Sequence, residues 1–259
     1  MDYYLDYIHY WLANASSDEI AVVFVNLIIL SVVLRVIVMI VQLSRNKFLG
    51  LTTKPFSKVG RGEGRVLLLG DSTAVGTGAS RPEDTIAGRL AHDFPKTEII
   101  NVAQNGGLVR DLHSQITPLK EQKFDLIIVS VGGNDVWHMT RLKNILSHLE
   151  YIIPTLISMS DHKVIFLTYN NIGSAPVFPK LMRGFLKSRC IKVQNVIREA
   201  TYKLKVPTID LFTDDDHNPF IENGDELFSF DGIHPSSTGY KLWYHRMWRK
   251  MIEEGYRIH

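Results

Sequence analysis

"LLLGDSTAVGTGAS" occupies residues 67 to 80, and its order of residue types decides the fold. Three leucines without a polar interruption suit a strand buried on both faces, the condition of a parallel sheet. Gly70 ends the run, Asp71 and Ser72 follow, and Gly76 and Gly78 mark a turn. The same pattern recurs. "RVLLLG", "TEIINVA", "DLIIVSVG", "KVIFLTY" and "VPTIDL" are short Val/Ile/Leu-rich runs bounded by glycine or polar residues. The stretches between them are long enough for crossover helices, which parallel strands require. Five strands alternating with helices predict an α/β chain, a three-layer α/β/α sandwich over residues 65–259. Tyr240, Trp243, Tyr244, Met247, Trp248 and Met251 recur at helical spacing near the end. That stripe predicts a final helix packed on the core.

The first part of the chain has a different character. "IAVVFVNLIILSVVLRVIVMIVQL", residues 20–43, is long enough to cross a bilayer as a helix, with Asn26 and Arg35 its only strongly polar members. A mid-membrane arginine costs roughly 2.5–3.5 kcal/mol on insertion scales, which the surrounding Val, Ile and Leu offset. A buried or dimerising helix is the duller alternative. A cleaved secretory signal is disfavoured, because no Lys or Arg precedes the run and no small-residue cleavage site follows it. Residues 1–19 are acidic and aromatic, with Asp2, Asp6, Asp18 and Glu19 beside Tyr3, Tyr4, Tyr7, Tyr10 and Trp11. Residues 44–64, with four glycines among polar residues, read as a linker. Arg45, Lys47, Lys54, Lys58, Arg61 and Arg65 face a single acid, Glu63, on that side. The positive-inside rule then predicts a single-pass protein with its amino terminus outside and residues 65–259 on the cytoplasmic side.

Composition narrows the chemistry. A net charge of +2 over 259 residues gives no reason to expect a nucleic-acid partner. Cys190 is the sole cysteine, which excludes an internal disulfide and any multi-cysteine metal centre.

Ligands of parallel α/β sheets gather at the carboxyl ends of the strands, and the unusual residues fall there. "GDS" ends the first strand, "NVAQNGG" follows the second, "GGND" the third and "NNIGSAP" the fourth; "FDGIHPSSTGY" precedes the last helix. A serine hydroxyl becomes a nucleophile only when a base takes its proton and a carboxylate fixes that base. Asp231 and His234, three apart in a loop, supply such a pair, with Ser72 as the hydroxyl to meet it. Donors for a developing oxyanion are the backbone N–H of Ser72, the backbone N–H of Gly106 and the side-chain amide of Asn134. Taken singly, each residue has a plain reading. Ser72 suits a helix cap, Asn134 or Asp135 an N-cap, and Asp231 and His234 a turn. "GDSTAVGTG" lacks the endings of a phosphate-binding P-loop and of a dinucleotide fold, and the G-x-S-x-G elbow of α/β-hydrolases.

"GDS", a glycine after strand two, "GGND" and "DGIHP" in this order resemble the four blocks of the SGNH hydrolases, the GDSL-like esterases and lipases. The resemblance covers residues 65–255, nearly all of the chain beyond the linker. It implies a flavodoxin-like order of the five-stranded parallel sheet, no metal and no cofactor. It implies Ser72 as nucleophile, His234 as base and Asp231 as its orienter, with Gly106 and Asn134 in the oxyanion hole. "NGGLVRDL" offers Gly107 as well, and Gly106 fits the pattern better. The expected activity is hydrolysis of carboxylic esters, lipid-derived ones favoured by the anchor. Carbohydrate deacetylation or thioester hydrolysis by the same machinery, and a non-catalytic membrane scaffold, are the alternatives.

Three lesser features complete the reading. From Lys180 to Lys205 eight basic residues oppose Glu199 alone, which reads as a solvated helix face or as a surface for anionic lipid. "TDDDHNP", residues 213–219, reads as a solvated loop rather than a metal site. Trp137 and the "NNIGSAPVF" loop are placed to shape an acyl pocket.

Overall fold

A computed structural model describes residues 2–60, 64–160, 163–213 and 217–255. The chain forms two compact units, Met1–Ser44 and Arg45–His259. The acidic triplet Asp214–Asp216 lies outside the described residues.

The first unit holds helix α1 (Asp2–Asn14) and most of α2 (Ser17–Thr52). A capping box starts α2. Ser16 Oγ accepts the Glu19 N–H at 3.3 Å, and Glu19 Oε2 accepts the Ser16 N–H at 2.9 Å. With 36 residues and an 18-residue stretch of mean hydropathy 2.8, α2 is long and apolar enough to cross a membrane, a property that a signal sequence shares. Asn26 is accommodated by donating its amide to the Val22 carbonyl at 2.8 Å, so its polar group is satisfied within the helix.

Residues 44–64 were expected as a linker; the described ones among them are 44–60 and 64. Helix α2 continues through Thr52, and Lys58 then forms an antiparallel bridge with Ile99. Phe56 packs against the core of the second unit.

Strands β1 (Arg65–Gly70), β2 (Glu98–Asn101), β3 (Leu126–Ser130), β4 (Val164–Leu167) and β5 (Thr208–Ile209) form one parallel sheet in the order β2-β1-β3-β4-β5. This is the flavodoxin-like order. Val66, Leu67, Leu68 and Leu69 are all at most 1% exposed, so the uninterrupted apolar run marks a central strand covered on both faces. Right-handed crossovers send α4 (Ile86–Asp93) to one face. Helices α7 (Leu142–Ser160) and α8 (Lys180–Lys203) pack together on the other. The closing helix α9 (Ser237–Glu253) packs against α4. Its aromatic stripe is core, as predicted: Tyr240, Trp243, Tyr244, Met247 and Met251 are buried. Cys190 is buried too, and burial pushes its thiol up to about 11, an unreactive state.

Candidate active site

Gly70 ends β1 at φ +134°, where an added Cβ would lie 1.8 Å from the Ser130 carbonyl oxygen. Only glycine lets β1 press this closely on β3. Gln115, buried in α5 (Leu112–Ile116), grips the same peptide from the other side. Its Oε1 accepts the Gly70 N–H at 2.9 Å, and its Nε2 donates to the Gly70 carbonyl at 2.8 Å. The chain leaves this clamp into the short helix α3 (Ser72–Val75). Asp71 caps it, its Oδ1 accepting from Thr73 N at 2.9 Å and from Thr73 Oγ1 at 2.6 Å. Ser72 is thus the first helical residue, whose N–H has no intrahelical acceptor.

The expected partners meet across the strand ends. Asp231 can only accept, so His234 Nδ1 donates to its Oδ2, at 2.6 Å. That tautomer leaves Nε2 to accept from the Ser72 hydroxyl at 2.8 Å. All three side chains are buried. Asp231 Oδ1 takes further bonds from Ser229 Oγ at 2.7 Å and from the Ile233 and His234 N–H groups at 3.0 Å. Burial alone would raise the Asp231 pKa. The His234 hydrogen bond and charge, with the Ser229 and Ile233 bonds, overcome it and hold the carboxyl down at about 2. The base is therefore oriented by a group that stays ionised at every ordinary pH.

The second and third blocks converge on the same place. Gly106 sits at φ +77° with nothing within 4 Å of where a Cβ would be, which leaves open space on its outer side. Gly107 is used differently, because its N–H donates to the Gln104 carbonyl at 3.0 Å in a tight turn. Among the described residues no acceptor takes the Gly106 N–H, which distinguishes the two glycines. Asn134, at the start of α6 (Gly133–Trp137), donates its amide to the Gly107 carbonyl at 3.1 Å. One of its two amide hydrogens is used there and the other remains for a ligand.

Two supports were not anticipated from the sequence. Asn105 Nδ2 donates to the Gly50 carbonyl at 2.9 Å and to the Thr53 carbonyl at 3.2 Å, while its Oδ1 accepts from Thr77 Oγ1 at 2.5 Å. It fastens the Gly106 turn to the chain leaving α2. Asp135 Oδ2 accepts the Val109 N–H at 2.9 Å and so ties α6 to the same loop; burial pushes its carboxyl upward. The sequence held one clue, a buried-strand neighbourhood carrying Asn and Asp where apolar residues would pack.

The GDSL-like lipase/acylhydrolase family model matches residues 68–242. The chain belongs to this family. Among solved structures, a lipolytic G-D-S-L protein from Veillonella parvula superposes with a TM-score of 0.58 at 16% identity, covering 71% of this chain and 96% of its own. A lipase/acylhydrolase from Enterococcus faecalis gives 0.54 at 22% identity, over 72% and 94%. Phospholipase A1 from Streptomyces albidoflavus gives 0.55 at 18% identity, over 73% and 100%. No curated protein matches the chain. As a GDSL-like hydrolase the chain is a serine hydrolase of ester bonds, and α1 and α2 lie upstream of the residues the family model matches.

Proposed function

We propose that this GDSL-like hydrolase is a membrane-anchored esterase that cleaves carboxylic esters, lipid-derived acyl esters foremost, with Ser72 as nucleophile. The observation that carries the reading is the unbroken line from Ser72 Oγ through the His234 ring to Asp231, at 2.8 and 2.6 Å. His234 Nε2 takes the Ser72 proton as Oγ adds to the ester carbonyl. The N–H groups of Ser72 and Gly106 and the free amide hydrogen of Asn134 receive the oxyanion. The tetrahedral adduct collapses, the alcohol departs with the proton from His234, and the acyl group stays on Ser72. Water then gives its proton to the same ring, attacks the acyl-enzyme and releases the acid. Ionised Asp231 stabilises the imidazolium in both halves.

The length and apolarity of α2 support the anchor and favour amphiphilic substrates. The basic excess after α2 supports a cytoplasmic catalytic domain. The test is a panel of p-nitrophenyl esters of rising acyl length, run on wild type and Ser72→Ala in parallel. Ser72→Ala and His234→Ala each lower kcat by about 10⁴–10⁶, as in dismantled triads, and only wild type is labelled by a fluorophosphonate. Undiminished turnover by purified Ser72→Ala protein would end the assignment.

A further inference from the structure

The basic stretch from Lys180 to Lys205 does not act as one surface. In its second half Arg198 pairs with Asp210, and Lys203 pairs with Glu199 at 2.8 Å, as a solvated face does. The first two turns of α8 differ, because their outward residues are apolar. Leu181 is 96% exposed, Phe185 57% and Met182 36%. Leu181 and Phe185 are four apart and share one row of the helix. Arg189, a further turn along that row, donates to the Thr140 carbonyl just beyond α6. The row therefore runs beside the end of α6, where Trp137 and Met139 are 48% and 49% exposed. Phe178, immediately before α8, stacks on Trp137 with ring centroids 5.1 Å apart. Lys180, at the start of α8, is exposed on the row next to theirs.

This patch adjoins the catalytic loops. Trp137 lies three residues after Asn134 on α6, so the two share a side of that helix. The Val177 N–H donates to the Gly232 carbonyl at 3.3 Å, between Asp231 and His234. Exposed large apolar side chains clustered on one surface beside a lysine suit neither bulk water nor an apolar protein core. They suit the boundary of an anionic bilayer, where rings and methyls enter the acyl region and ammonium groups meet headgroup phosphates.

We propose that Trp137, Met139, Leu181, Met182 and Phe185, with Lys180, form a docking surface for an anionic lipid–water interface, from which acyl esters pass to Ser72. The inference rests on the esterase reading of Ser72 and adds where its substrate is taken up. The experiment uses the full chain reconstituted in vesicles of phosphatidylcholine and phosphatidylglycerol. Two substrates are compared, soluble p-nitrophenyl acetate and a long-chain acyl ester dissolved in the bilayer. Leu181→Glu/Phe185→Glu leaves turnover of the acetate within about twofold and lowers turnover of the bilayer-borne ester by about 10-fold or more, since two charges replace apolar contacts with lipid. Lys180→Glu gives a smaller loss on the bilayer-borne ester that vanishes in phosphatidylcholine alone. In a separate measurement, brominated acyl chains quench a fluorescence component that is missing from Trp137→Phe.

Equal rates of wild type and Leu181→Glu/Phe185→Glu on both substrates would overturn the docking surface, as would equal losses on both. So would a change confined to self-association, which would assign the face to a second copy of the chain. Absence of acetate turnover in wild type would instead overturn the esterase reading itself.

Discussion

Asp71 and Asp231 flank the same serine and histidine, yet their carboxyl groups titrate in opposite directions. Asp231 is surrounded by donors and stays low. Asp71 has only the two Thr73 bonds against complete burial, and burial wins, raising it from 3.8 to about 6 despite those bonds and the pull of His234. The sign of the consequence follows from linkage. A carboxyl whose pKa is raised in the folded protein binds its proton more tightly there than in the unfolded chain. Stability at Asp71 is therefore fully present below 3.8 and is lost as pH rises through about 6. Asp71→Asn keeps an acceptor oxygen for Thr73 and cannot ionise. The stability difference between variant and wild type should move in the variant's favour across that window and level off above it. Thermal or urea unfolding at a series of pH values measures this; a flat difference would mean that Asp71 ionises as freely as an exposed aspartate.

At the scale of elements, the catalytic loops are held by side chains that themselves touch no reacting atom. Gln115 fixes the end of β1 and Asp135 ties α6 to the loop after β2. Asn105 fastens the Gly106 turn to carbonyls 55 and 52 residues upstream. Displacing an oxyanion donor by about 1 Å costs on the order of 10²-fold in rate. Asn105→Ala should therefore lower kcat on p-nitrophenyl acetate by about 10- to 100-fold while KM changes little, since ground-state binding does not use the oxyanion contact. A chain beginning at Phe56 rather than Arg45 removes both acceptor carbonyls and should show the same split between kcat and KM. Equal kcat in the Asn105→Ala and wild-type proteins would show that the turn holds its shape without the tether. Asn105 stood in the quoted block "NVAQNGG" with no role assigned, because its partners, the Thr77 hydroxyl and two backbone carbonyls, are remote in sequence and form no motif with it.

For the whole molecule, the proposed function divides chemistry and location between the family domain and the apolar helix. Helix α2 carries Arg35 inside a run otherwise rich in Val, Ile and Leu, and such a run is favourable in a bilayer despite that charge. The full chain should stay with membranes through high-salt and alkaline washes, whereas a chain beginning at Arg45 should be released and still hydrolyse soluble esters. Recovery of the full chain in the alkaline wash would remove the anchor from the functional reading. Protease accessibility of the catalytic unit in sealed vesicles reports the orientation that the flanking charges predict.

Much of this protein was written locally. Buried strands declare themselves by apolar runs such as Val66–Leu69, because burial acts on each side chain where it stands, and the proposed catalytic residues Ser72, Asn134, Asp231 and His234 fall in short motifs at strand ends. Spacing also placed Asp231 and His234 within reach of each other. Tertiary structure alone decided what depends on distance between remote segments. It spent the Gly107 N–H in a turn, and brought Ser72 against a ring 162 residues away. It also carried the helix onward to Thr52 and split a uniformly basic stretch into a paired half and an apolar one. Hydrogen bonds to backbone carbonyls and exposure on a surface are set by neighbours in space, and a linear order of residues does not record them.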